Sequence, residues 1–206
     1  KEISAVVVAL PNASHEEVTL KAAKAGKHIL VEKPMASNLL QADAMIRVCK
    51  SAEVTLMVGQ ARRFFRALQH AKDRLKDLGP PFCMNYIWAV YAGDEGGGHP
   101  EWWKSLEEMP ISMLGSHTVD YTLWMFEPRK PINVYAGLYF SRYKGGDEAI
   151  LFIRFDDGSM AINHLSHNVR PRVHQCLIVC PRGNITFEHS HLPDQLVGVD
   201  SISLSI

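Results

Sequence analysis

Charge of one sign is not in excess in this chain: 22 lysines and arginines stand against 22 aspartates and glutamates, and no basic run breaks the balance. Without a net positive field nothing draws a polyanion, so a nucleic-acid or anionic-membrane surface is a poor reading. Long apolar runs are missing too. The longest, such as residues 6–10 and 176–180, fall far short of the ~20 residues a membrane helix needs. Cysteine is scarce, with four in 206 residues and none in a Cys-x-x-Cys pair, which argues against a secreted disulfide framework and against a zinc site. Cys176 and Cys180 lie four apart in a strand-like run, share a face, and are expected as buried reduced thiols. No separate apolar leader precedes the first strand, because Lys1 and Glu2 run straight into residues 3–10; a cytoplasmic setting is expected.

One further absence concerns glycine. Gly96-Gly97-Gly98 sits in a loop and Gly145-Gly146 in a hairpin, so no Gly-x-Gly-x-x-Gly follows a strand anywhere. The backbone cradle that such a turn makes for a diphosphate is therefore not carried by these 206 residues.

What is present falls into two patterns. Residues 1–80 alternate β-branched runs with helical stretches, as a parallel sheet with crossover helices requires. Strands are expected at 5–10, 28–31 and 54–58. Helices are expected after Pro11-Asn12-Ala13, where Ser14 and Glu17 have capping-box spacing, from an N-cap at Ser37 to about Ala52, and over 62–78. Gly79-Pro80-Pro81 then marks a boundary. Beyond it, residues 81–206 switch to period-two strands at 82–92, 132–142, 148–155, 159–167, 172–179 and 185–189, with one helix over 112–126. The expected architecture is α/β plus α+β: a partial Rossmann parallel sheet, one mononucleotide half, followed by a largely antiparallel open-sheet domain for substrate binding and oligomerisation, incomplete at its C-terminus.

Three segments should meet at the carboxyl ends of the parallel strands, where open α/β sheets hold their ligands. They are Pro11 to His15, Glu32-Lys33-Pro34, and Gln60 to Phe64. Ala9-Leu10-Pro11-Asn12-Ala13-Ser14-His15 and Ala25-Gly26-Lys27-His28-Ile29-Leu30-Val31-Glu32-Lys33-Pro34 resemble the threonine-proline-asparagine and glutamate-lysine-proline signatures of the glucose-fructose oxidoreductase and inositol dehydrogenase family, Gfo/Idh/MocA. Gly115-Ser116-His117-Thr118-Val119-Asp120 is similar to that family's glycine-x-histidine-x-x-aspartate helix, and Phe155 to Met160 to a hairpin of its substrate domain.

The resemblance implies hydride transfer between a carbohydrate-like or polyol carbon and NAD or NADP. It places Lys33 and His117 as catalytic groups facing one another across a single pocket. Pro11, Asn12, His15, Glu32, Lys33, Pro34 and Gln60 would meet the cofactor, and Arg63, Trp102, Trp103 and Asp120 the substrate. A lysine ammonium can hydrogen-bond a developing alkoxide, partial desolvation moves such a group toward useful proton transfer, and histidine exchanges a proton near neutrality. One departure is Met113, where the family commonly has an aspartate; a thioether accepts no proton, so no relay runs through it. The other is the missing glycine turn. Weak or no dinucleotide binding is expected of this stretch alone, which reads as a fragment or a degenerate copy. A homo-oligomer is expected through an apolar face of the open sheet formed by alternate residues such as Ile153, Phe155, Ile162 and Leu165. The histidines at 164, 167, 174, 189 and 191 lack carboxylate or thiolate partners at ligand spacing, so no metal is assigned. A non-catalytic regulator that has lost its cofactor, or an assembly module, are the alternatives.

Overall fold

The computed structural model describes residues 3–91, 111–141, 143–189 and 199–205, arranged as two compact units, Lys1–Ala61 and Arg62–Ile206.

In the first unit, strands β1 (Ala5–Val8), β2 (His28–Val31) and β3 (Leu56–Val58) form a parallel sheet in that order. Helices α1 (His15–Lys24) and α2 (Leu39–Ser51) make the crossovers. Alternation decides which face is buried: Val8, Ile29 and Val31 close a core with Ala23, Met45 and Cys49. The opposite face is bare within this unit, where Val7, Leu30 and Met57 stand in register and Val7 is 70% exposed.

Both helix starts differ from the sequence expectation for a local reason. Residues Asn12–Ser14 already form a 3-10 turn, so Ser14 has a helical backbone (φ −95°, ψ −9°) and makes no side-chain cap bond, whereas capping needs an extended residue. At α2 that extended residue is Asn38 (φ −157°, ψ 168°) rather than Ser37. The Asn38 side chain accepts from Gln41 N at 3.0 Å, and Ser37 N donates to Gln41 Oε1 at 3.0 Å. Asn38→Ala should therefore cost about 1 kcal/mol, read as a lowered thermal midpoint, and an unchanged midpoint would show the cap to be idle.

The second unit begins with a 3-10 turn (Ala61–Phe64 spans the junction) and α3 (Arg66–Leu78). Strands β4 (Cys83–Tyr91), β5 (Pro131–Tyr139), β6 (Glu148–Phe155), β7 (Met160–Ser166), β8 (Asn168–Cys180), β9 (Gly183–His189) and β10 (Val199–Ser205) form one sheet. Its order is β10-β9-β8-β4-β7-β6-β5, antiparallel except for the β4–β7 pair. A π-helical turn (Ile111–Gly115) leads into α4 (Ser116–Phe126).

The unit boundary thus lies earlier than the Gly-Pro-Pro break placed it. The cause is packing: Leu68, Ala71 and Leu78 of α3 share a core with Met84, Tyr86, Phe155 and Ile178 of the large sheet, so α3 belongs to the same unit as that sheet. The cysteines are free, with Cys49, Cys176 and Cys180 buried; desolvation pushes the Cys176 thiol well up.

Candidate active site

At the carboxyl edge of the small sheet, the first two of the three expected segments come together. His15 is fully buried and ties them: its Nε2 lies 2.8 Å from the Leu10 carbonyl and its Nδ1 3.0 Å from the Pro34 carbonyl. Because both ring nitrogens meet backbone oxygens, His15 positions the loops rather than presenting a group to a ligand. The Lys33–Pro34 peptide is cis, Lys33 is half-buried, and Lys33 N donates to Glu32 Oε2 at 3.1 Å. Glu32 N donates in turn to the Val8 carbonyl, and Gly59 N to that of Val31. A Cβ at Gly59 would sit 3.4 Å from both Glu32 Oε1 and the Val31 carbonyl, so the end of β3 runs within contact distance of Glu32. Gln60 comes directly after it, half-buried, as is Asn12, while Pro11 is exposed.

His117 lies in the second unit, in the first turn of α4. It stacks on Trp88 of β4, with ring centroids 5.5 Å apart. Trp88 in turn stacks on His174 of β8 at 4.5 Å and carries the guanidinium of Arg62 at 3.9 Å from its centroid. One turn along α4, Asp120 takes a two-pronged pair from Arg63, Nε at 2.8 Å and Nη2 at 2.7 Å. The hydrogen bond to Asp120 is what first holds the Arg63 guanidinium charged and its pKa raised. Arg63 and Asp120, both expected at the substrate, are therefore joined to each other. Met113 occupies the π-helical turn ahead of them. Trp102 and Trp103 lie outside the described residues, as do Gly96 to Gly98 and His191.

The sequence did not single out Arg62, Arg172 or the ring ladder of Tyr86, His174 and Trp88 as a group. Of the other histidines, His164 pairs with Glu148 at 2.6 Å and His174 Nε2 with the Tyr86 hydroxyl at 2.9 Å. Among the described residues no three histidine, cysteine or acidic side chains gather as a metal site.

The residues suit the nicotinamide end of a dinucleotide. The edge around Pro11, Asn12, Glu32, Lys33, Pro34 and Gln60 is held by backbone bonds and offers polar groups at strand ends. For the diphosphate end these 206 residues hold no glycine turn.

Comparison with known proteins joins the two units to one lineage. Residues 1–60 match the model of an oxidoreductase family with an NAD-binding Rossmann fold, and residues 68–186 match the GFO/IDH/MocA C-terminal domain. The chain is 27% identical over 208 residues to scyllo-inositol 2-dehydrogenase (NAD(+)) of Bacillus subtilis strain 168, covering 92% of this chain and 57% of that enzyme. It is 40% identical over 77 residues to 2,7-anhydro-N-acetylneuraminate hydratase of Escherichia coli K12, covering 37% of this chain and 21% of that protein. A crystal structure of an inositol dehydrogenase homologue from Azotobacter vinelandii, complexed with NADH and myo-inositol, superposes with a TM-score of 0.81 at 17% identity, over 98% of this chain and 56% of that one. Against each of the three, the chain spans less than two thirds of the other protein's length.

Proposed function

Because the chain belongs to the GFO/IDH/MocA family of oxidoreductases, we propose that it forms the nicotinamide-facing and substrate-facing part of an NAD(P)-dependent dehydrogenase acting on a sugar-like or polyol carbon. The observation that carries this is the clamped Glu32-Lys33-Pro34 segment. A lysine at a strand end is ordinarily a solvated cation. Here its loop is fixed on both sides, by the Glu32 carboxylate beneath its backbone N–H and by His15 on the carbonyl of Pro34.

The division of labour comes from the chemistry of each group. A bound nicotinamide supplies the hydride acceptor or donor. Lys33 Nζ hydrogen-bonds the reacting oxygen and takes or returns its proton, a contact worth most as negative charge develops on that oxygen. His117 orients the substrate and passes a proton at near-neutral pH. Arg63 and Asp120 hold α4 to the turn that precedes α3, and Pro11, Asn12, Glu32, Pro34 and Gln60 line the nicotinamide end. Trp102 and Trp103 are the aromatic contacts proposed for the sugar ring. A second route, net addition or removal of water, is favoured by the identity to a hydratase. The two part in a single assay of the intact protein over a panel of polyols and sugars: oxidation accumulates reduced nicotinamide with product, and hydration changes substrate without it. No conversion of either kind would end the enzymatic proposal.

Cofactor affinity is limited by the missing glycine turn. Residues 1–206 alone should bind NADH and NADPH only weakly, above the micromolar range, because the diphosphate finds no ring of backbone amides. Low-micromolar binding in a fluorescence titration would refute this.

The bare side of the large sheet is proposed to pair with a second copy, in a cytoplasmic setting. Of the residues expected on that face only Ile162 is there, because Ile153, Phe155 and Leu165 alternate to the other side and join the buried cores. Tyr135, Phe152, Ile162 and Leu177 run across it in register or one strand apart, away from the helices. Tyr135 is 71% exposed and Ile162 37%, more aromatic and aliphatic surface than a lone molecule usually shows. No helix among the described residues is long and apolar enough to cross a membrane. Sedimentation should show a dimer or larger assembly that Ile162→Glu weakens; a monomer at all concentrations would sink the proposal.

A further inference from the structure

Two half-buried arginines of the second unit lack the carboxylate partner that three others have. Arg63 pairs with Asp120, Arg129 with Asp157 and Arg74 with Asp77. Among the described residues Arg62 and Arg172 meet no carboxylate, yet both are half-buried beside the hydroxyl of Tyr86. Burial is the first cause that drives both guanidinium pKa values down, and the Arg172 charge adds to the effect on Arg62. A partly desolvated cation without a counterion is costly, and natural structures rarely leave one without a use.

Register explains why these groups gather. On β8, Arg172, His174 and Cys176 alternate onto one face, and antiparallel pairing sets His174 opposite Trp88 and Cys176 opposite Tyr86. Arg62 comes from the turn before α3 and sits over the ring of Trp88, whose other neighbours include the rings of His174 and His117. Stacking on an indole accounts for the pose of Arg62. It does not account for Arg172, whose Nε is buried with no acceptor, or for the buried Nε1 of Trp88, which has none either. These two orphan groups are donors that can never accept. A cluster whose guanidinium and indole groups can only donate, and whose charge is positive, is complementary to a ligand that accepts and is negative.

We infer that Arg62, Arg172 and the Trp88 indole N–H form a receptor for an oxyanion, a carboxylate or phosphate carried by the substrate, next to His117. This rests on the dehydrogenase proposal for its sugar-like substrate, and narrows that class to acidic or phosphorylated sugars. Neutral polyols would leave both arginines unpaired. The Tyr86 hydroxyl, fixed by His174, then serves as a neutral floor beneath the charged groups.

Calorimetric titration of the intact protein with D-glucuronate, glucose 6-phosphate and D-glucose tests the inference without nicotinamide turnover. At least one anionic sugar should bind about tenfold or more tightly than glucose, with a preference that falls as salt is raised. Stronger binding of glucuronate identifies a carboxylate, and of glucose 6-phosphate a phosphate. Arg172→Gln, checked by thermal melting, should bring the anion's affinity down to that of glucose. If the variant does not fold, wild-type protein still decides: the bound anion, and not glucose, should slow phenylglyoxal modification of Arg172 as read by peptide mass mapping. Equal affinity for charged and neutral sugars, no binding of any of the three, or an unprotected Arg172 overturns the inference. A protein that oxidises neutral polyols without preferring anions leaves the dehydrogenase proposal standing and this one fallen. One that selects anions but never reduces nicotinamide does the reverse.

Discussion

Lys33→Ala should lower kcat of the intact enzyme by about 10²- to 10⁴-fold, the usual worth of a positioned proton donor or acceptor, while the thermal midpoint hardly moves. Activity and stability part here for separate reasons. Lys33 is half-buried on a loop and belongs to neither the core of the first unit nor that of the second, so truncation opens no cavity. Its backbone bond to Glu32 and the His15 clamp on Pro34 do not involve the amine and survive the change. What disappears is one mobile proton at the reacting oxygen. Lys33→Arg sharpens the test, because a guanidinium keeps the charge yet gives up no proton near neutrality; it should restore part of KM and little of kcat. Turnover in Lys33→Ala within a few-fold of wild type would remove the residue from the chemistry. A coincident loss of fold would instead make it structural.

Where the chain's physics is local, the sequence was a good guide. Strands β2 and β6 have the expected ends, His28–Val31 and Glu148–Phe155, because in each a β-branched or apolar run is bounded by residues that break the pattern. The Lys33 loop was legible for the same reason, as strand, charged pair and proline succeed one another in seven residues. Caps were less so. Ser14 and Ser37 have the right chemistry, but the backbone conformation that makes a residue a cap is decided by the turn before it, and there Asn38 wins. The place where α3 belongs depends on which core its apolar stripe enters, and the punctuation at Gly79-Pro80-Pro81 carries no information about that.

Least legible was the arginine and aromatic cluster. Arg62 and Arg172 are 110 positions apart, and only the pairing of β4 with β8 brings His174 opposite Trp88. A register shift of one residue would send Arg172 and His174 to the other side of the sheet, so no reading of composition or spacing could find them. His174 was visible only as one of several histidines, and Trp88 only as a core aromatic. Asp120 shows the same limit from the other direction. Helical spacing rightly puts it one turn from His117, yet its partner is Arg63, which periodicity on α4 cannot see.

Phe126→Ala should destabilise the second unit by about 3–5 kcal/mol, the largest stability effect expected of any side chain at the end of α4. Phe126 is 0% exposed and lies parallel to Phe155, also 0% exposed, with ring centroids 4.4 Å apart and planes 4° from coplanar. Removing the ring loses its transfer free energy, the stacking contact and the face on which Arg129 rests at 5.6 Å, and a rigid sheet cannot close the hole. Phe126→Leu keeps most of the volume and should cost roughly 1–2 kcal/mol, so the difference between the two variants reports the cavity rather than the hydrophobicity. Denaturant unfolding followed by the fluorescence of Trp88 and Trp124 measures both. The helix gives the experiment its wider meaning: α4 also carries His117 and Asp120, nine and six residues earlier. If its C-terminal anchor serves packing alone, kcat of the folded Phe126→Leu enzyme stays near wild type. A fall in kcat at full folding would mean that the pose of His117 is set at the far end of its helix, and that the core and the site form one mechanical unit.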